Sequence, residues 1–233
     1  RKDLKRSYNR PKLNLNYNIV LVHEDDIYQN IYKESKCIVL EKFASNKFSY
    51  LNLPRIYHLI FVGDATQKTK NHTLMFKFLN FCEDNHYQLN ICYVSNPEIL
   101  QKNYSNFIDY KKFKYVKISF FNNKTPEDLN ILFNQSKINL VLSGRDFCPR
   151  VISESLACGC YNIALDTLSD GKFYYNGNFG KLLSFENSIV TAYSGSLSYL
   201  GDNNIFNTLI NIVFQTFDHK NISIESISKY NIN

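Results

Sequence analysis

Ser143-Gly144-Arg145-Asp146-Phe147-Cys148-Pro149-Arg150-Val151-Ile152-Ser153-Glu154-Ser155-Leu156-Ala157-Cys158-Gly159-Cys160 lies between two apolar runs, Ile138 to Leu142 and Tyr161 to Leu165. Proline is pre-set for the first turn of a helix, so the stretch predicts a helix from Pro149. Glu154 falls about a turn and a half into that helix, and Asp146 lies in the loop before it. Strand, acidic loop, helix, glycine and strand make a βαβ unit, and such units build parallel sheets. Ligands of these sheets bind at the carboxyl ends of the strands.

The same alternation continues upstream. His58 to Val62 is a continuous apolar run, as suits a strand buried on both faces. Gly63 ends it, Asp64 to Lys70 is a polar loop, and a helix is expected from about Asn71 to Asp84. Leu74, Phe78 and Phe81 form one helical stripe, and Met75, Leu79 and Cys82 another. Strands are expected at Asn90 to Ser95 and Lys114 to Phe121, with a short helix and loop between them. A helix begins at Pro126-Glu127-Asp128, where acids in the first turn suit the dipole. The order from His58 to Asp166 describes one doubly wound, Rossmann-like α/β domain with helices on both faces. Further helices are expected from about Asn204 to Phe217 and over the tail, Ile222 to Tyr230.

The first 55 residues read differently. Residues 1–16 are polar and extended, Ile19-Val20-Leu21-Val22 is a short strand, and Ile27 to Ser35 has a helical pattern. Lys36 to Glu41 is a second strand, and Lys42 to Arg55 is loop-like. Two parts are therefore expected, 1–55 and 56–233.

Composition limits the classes. The chain has 233 residues, 44% of them hydrophobic, enough for a globular core. The net charge is +6, with a basic excess at the start in Arg1, Lys2, Lys5, Arg6, Arg10 and Lys12. A solvated terminus explains that excess, since no basic face with interleaved aromatics follows it, and no nucleic-acid partner is expected. The six cysteines form no Cys-x-x-Cys pair and have no His pair at metal spacing. They suit buried thiols in a reducing compartment. No signal-peptide pattern opens the sequence and no run approaches a membrane span, so a cytoplasmic protein is expected. A start on Arg1 rather than methionine suits a piece of a longer protein.

Gly63 followed by Lys68-Thr69 raises the possibility of a P-loop. That pattern needs a second glycine directly before the lysine, which would lie one residue later than Lys68, and Gln67 precedes Lys68 here.

Asp146, seven residues, Glu154, then Ser-Leu-Ala-Cys-Gly-Cys resembles the E-x7-E signature of family-4-type retaining glycosyltransferases of the GT-B fold. The stretch Pro149-Arg150-Val151-Ile152 to Glu154 and on to Gly159 is similar to the family's usual helix. Two residues depart from it: the first acid is Asp, and Phe147 stands where glycine is usual. The order strand, Gly63, loop, Lys70, Asn71, helix resembles the first loop of the family's C-terminal domain. The family's arginine after that glycine is Asp64 here, and Lys68 is a candidate for the missing cation. Phe179-Gly180-Lys181-Leu182-Leu183 resembles a small glycine-containing segment late in that domain.

The resemblance implies a hexosyltransferase-like enzyme that moves a sugar from a nucleotide-diphosphate sugar to an unknown acceptor (glycan, lipid or protein) with retention. It implies residues 56–233 as the nucleotide-sugar-binding domain and 1–55 as a remnant of the N-terminal domain with its linker. Glu154 would accept hydrogen bonds from ribose hydroxyls, and Asp146 would face the sugar. Lys70, with Lys68 and the helix start at Pro149 and Arg150, would stabilise the departing diphosphate, while Gly63 would let the backbone approach the donor. Lys70 and Glu154 are then expected to open on one cleft. No metal or cofactor is required in this scheme. The rival reading is a non-catalytic nucleotide-sugar-binding or scaffold module.

Overall fold

A computed structural model describes residues 19–22, 36–39, 45–104, 112–144, 150–168, 174–175, 178–184, 189–190, 197–198 and 204–230. The chain divides into two compact units, Arg1–Glu41 and Lys42–Asn233. In the first, β1 (Ile19–Val22) and β2 (Lys36–Val39) pair in parallel, Ile19 opposite Lys36 and Val22 opposite Val39. The helical pattern of 27–35 lies outside the described residues.

The second unit is built on a six-stranded parallel sheet. Its strands are β3 (Tyr57–Val62), β4 (Leu89–Val94), β5 (Val116–Phe121), β6 (Ser136–Val141), β7 (Tyr161–Leu165) and β8 (Gly180–Leu183). They lie in the order β5-β4-β3-β6-β7-β8. The central strand β3 pairs with both neighbours, Leu59 facing Ile91 on one side and Ile138 on the other. The sixth strand, β8, is the glycine-containing segment; Ala164 pairs with Leu182 across it. Two short strands, β9 (Ile189–Val190) and β10 (Leu197–Ser198), form a separate antiparallel pair.

Helices cover both faces. They are α1 (His72–Asp84), α2 (Pro97–Asn103), α3 (Pro126–Asn134), α4 (Arg150–Ala157), α5 (Asn204–Val213) and α6 (His219–Tyr230). Side chains alternate along a strand, so Leu59 and Phe61 join one core and Ile60 the other. The first core holds Leu74, Met75, Phe78 and Leu79 of α1 with Leu209 and Ile212 of α5. The second holds Leu132 and Phe133 of α3, Ile152 and Leu156 of α4, and Ile222 of α6. Local chemistry sets two of the starts. Asn96 caps α2 by accepting from the Glu98 and Ile99 N–H groups at 2.9 and 3.2 Å. Thr125 and Asp128 form a reciprocal capping box on α3, with Pro126 in its first turn.

The described part of the loop-like segment, residues 45–55, is anchored. The Arg55 guanidinium donates through Nη1 to the carbonyls of Phe133 (2.6 Å) and Ser136 (2.7 Å), and through Nη2 to that of Cys158 (2.6 Å). One side chain thus ties the ends of α3 and α4 to the start of β3. The Ser49 and Leu51 N–H groups donate to Asn130 and Asn134 of α3 at 3.0 and 2.8 Å. The compact units accordingly divide at Glu41/Lys42, with residues 45–55 packed on the larger unit.

Candidate functional site

The strand order reverses direction between β3 and β6. From β3 the chain runs through α1 to β4 on one side; from β6 it runs through α4 to β7 on the other. A crevice opens at the carboxyl ends of strands at such a switch point. Gly63 follows β3 there, and Ser143 and Gly144, both buried, follow β6.

The loop after β3 is held by its own side chains. Asp64 Oδ1 accepts from the Thr66 N–H (2.9 Å) and hydroxyl (2.8 Å), and Oδ2 accepts from Gln67 Nε2 (3.1 Å). These bonds, the Thr66 N–H foremost, hold the Asp64 carboxyl below the usual range. The aspartate directly after Gly63 therefore serves as a loop staple. Lys68 to Lys70 form a single 3₁₀ turn, Lys68 exposed and Lys70 half-buried. Asn71 then takes left-handed backbone angles, φ 61° and ψ 44°, and α1 begins.

His72 locks the loop from below. It is fully buried, its Nδ1 lies 2.8 Å from the Tyr93 hydroxyl, and its Nε2 lies 3.1 Å from the Asp64 carbonyl. A carbonyl can only accept, so Nε2 carries the proton and Nδ1 accepts from tyrosine. Burial pushes its pKa down to about 4. The ring also explains Gly63: a Cβ there would lie 3.0 Å from His72 Cε1 and 3.0 Å from Phe61 Cε1. Sequence reasoning assigned the glycine to ligand approach and missed the histidine, whose place on the inner side of α1 follows from its spacing to Met75 and Phe76.

On the other side of the switch point, α4 carries Arg150, exposed, and Glu154, half-buried. Burial raises the Glu154 pKa, and the Arg150 charge one turn earlier partly offsets this. A buried polar cluster fixes α4 on the sheet. Asn139 Nδ2 donates to Asn162 Oδ1 (2.6 Å) and to Ser155 Oγ (3.0 Å). Both asparagines interrupt apolar strands, a signal that was present in the sequence but unread. Asp146 and Pro149 lie outside the described residues.

Lys70 and Glu154 come from opposite faces of the sheet, since α1 belongs to one core and α4 to the other. They share an edge: both helices start beyond the carboxyl ends of adjacent strands. This follows from right-handed crossovers leading away from the switch point in opposite directions. Among the described residues no group of three or more His, Cys, Asp or Glu is placed to hold a metal ion. None of the helices described is long and apolar enough to cross a membrane.

Solved structures share this fold. A glycosyltransferase from Rickettsia africae superposes with a TM-score of 0.69 at 18% identity, over 100% of this chain and 64% of that one. Sucrose-phosphate synthase from Thermosynechococcus elongatus gives 0.61 at 14% identity, over 92% of this chain and 54% of that one. The pneumococcal O-GlcNAc transferase GtfA, in complex with UDP and GlcNAc, gives 0.59 at 12% identity, over 92% and 41%. The chain has the fold of part of a GT-B glycosyltransferase. It spans about two fifths to two thirds of the length of these proteins. No protein-family model and no curated protein sequence matches it.

Proposed function

We propose that the chain is the donor-binding half of a retaining glycosyltransferase that uses a nucleotide-diphosphate sugar. One observation carries the reading: two helices start at the switch point, α1 preceded by Lys68 and Lys70, and α4 with Glu154 in its second turn. Cations beside helix N-termini suit a diphosphate, and an ionised carboxylate suits a pair of ribose hydroxyls. Glu154 accepts from the ribose, Lys70 and Lys68 with the Pro149–Arg150 helix start take the diphosphate, and Asp146 faces the sugar. Charge growing on the departing diphosphate is stabilised by these fixed cations and N–H groups, so the scheme needs no metal. Gly63 lines the donor site with its backbone alone, because the space of its missing side chain is taken by His72. The neighbours support the donor class, since GtfA holds UDP and GlcNAc, and a TarM variant from S. aureus holds UDP with α-GlcNAc-glycerol. Residues 1–55 are read as the remnant of the N-terminal domain with its linker, and the acceptor as a glycan, lipid or protein. Cys82, Cys92, Cys158 and Cys160 are free and buried, which suits the cytoplasm.

One observation favours the rival reading of a binding module without turnover: Asp64 stands in the family's arginine position and is engaged within its own loop. A panel of nucleotide sugars separates the two. Time-dependent nucleotide release with retention at the anomeric carbon supports transfer; saturable binding with no release supports the module; no binding by any member overturns both.

A further inference from the structure

Asn71 is an anomaly at the start of α1. It is the N-cap residue and the commonest cap chemistry is available to it, yet its side chain makes no capping hydrogen bond. It is 2% exposed, and neither Nδ2 nor Oδ1 has a hydrogen-bond partner. Burying an amide without partners is costly, and such groups in a native fold call for an explanation. The left-handed backbone at φ 61° explains why the residue is not branched or bulky. It does not explain the amide, because glycine adopts that conformation with no polar group to bury. Two more buried hydroxyls around the same loop lack partners. One is Ser95 Oγ, next to Val94, whose carbonyl receives the Gly63 N–H at 3.1 Å. The other is the Tyr104 hydroxyl, whose ring lies 5.2 Å from His72.

We propose that the Asn71 carboxamide is a ligand contact, its Nδ2 donating to a phosphoryl oxygen of a nucleoside diphosphate seated at the start of α1. The inference rests on the nucleotide-sugar reading above and adds a residue to it. The surroundings choose the anion. The preceding turn carries Lys68 and Lys70, and α1 has no acidic residue in its first turn. The helix dipole points its positive end at the same place. A neutral donor between two lysines and a helix start adds direction to what the cations supply as charge. In the absence of ligand the amide is an unmet donor, so the residue lowers stability and raises affinity, a trade expected at binding sites.

The test uses Asn71→Gly, which keeps the left-handed backbone and removes the amide. Thermal unfolding without ligand and calorimetric titration with UDP, GDP and ADP, each beside its nucleoside, are measured on wild type and variant. The expected result is a variant at least as stable as wild type that binds the preferred diphosphate roughly tenfold more weakly. Its affinity for the nucleoside alone should be unchanged. Asn71→Asp, of the same size, should lose more, because it sets a carboxylate where the donor was. Equal diphosphate affinity in wild type and Asn71→Gly overturns the inference while leaving the nucleotide reading intact. Wild type that binds none of the three diphosphates overturns the reading itself and the inference with it.

Discussion

The absent side chain of Gly63 and the ring of His72 occupy one space. A Cβ on residue 63 would approach His72 Cε1 to 3.0 Å and Nε2 to 3.1 Å. The His72 ring is fixed at both nitrogens, so it cannot swing aside without breaking a buried hydrogen bond. Gly63→Ala should therefore destabilise the fold by about 1–3 kcal/mol, the usual cost of overpacking. In a His72→Ala background the same change should cost at least about 1 kcal/mol less, as residues in contact couple. Urea unfolding of the four proteins measures this, and strictly additive effects would refute the shared space.

The same histidine makes an acid-sensitive element. Its pKa is lowered by burial from 6.5 to about 4, so the folded state resists a proton that the unfolded state accepts. The stability this group supports is whole above pH 6.5 and is lost as pH falls toward 4. The loss amounts to about 3 kcal/mol at the bottom of that window. His72→Leu should flatten the slope of unfolding free energy against pH between 6.5 and 4. An unchanged slope would mean that His72 protonates without cost in the fold.

Much of this fold was legible because its signals are local. The strand Tyr161–Leu165 and the helix from Pro126 needed only an apolar run and a proline with acids behind it. Glu154 and Lys70 were singled out from short stretches that resemble a family's motifs. What escaped was long-range. Nothing near Arg55 in sequence announces that its guanidinium meets carbonyls 78, 81 and 103 residues away. The opposite-face origin of Lys70 and Glu154 depends on strand order, which a single strand–helix–strand pattern does not encode. Asn139 and Asn162 sit within apolar strands and went unread, because each finds its partner only on the neighbouring strand.

The Arg55 cluster predicts a further sensitivity away from the crevice. Its fork donates to carbonyls on two helix ends and one strand start. A lysine ammonium has the charge but not the planar spread. Arg55→Lys should leave at least one buried carbonyl unmet and cost about 1–3 kcal/mol. Gly159 lies beside it at φ 80°, where a Cβ would meet the His219 carbonyl oxygen. Gly159→Ala should therefore be at least as damaging. Chemical denaturation of both variants checks the order; wild-type stability in Arg55→Lys would show the clamp to be redundant.

Glu154 offers the most direct separation of stability from binding. Burial raises its pKa above 4.5, with Arg150 pulling the other way. A carboxyl whose folded pKa is raised favours its protonated form in the fold, so its contribution to stability falls as pH rises through the titration. Glu154→Gln removes that penalty, and the variant should be as stable as wild type at neutral pH or slightly more so. Binding has the opposite sign. Ribose hydroxyls donate to a carboxylate, and the ionised form accepts more strongly than a neutral amide. Nucleotide-diphosphate affinity of wild type should thus rise as pH increases through the carboxyl's titration and level off above it. Glu154→Gln should bind about 1–3 kcal/mol more weakly at neutral pH and lose that rise. Calorimetry at several pH values on both proteins supplies the comparison, with unfolding curves under the same buffers as control. Equal affinities at neutral pH, or a rise that persists in the glutamine variant, would place the ribose contact on another residue.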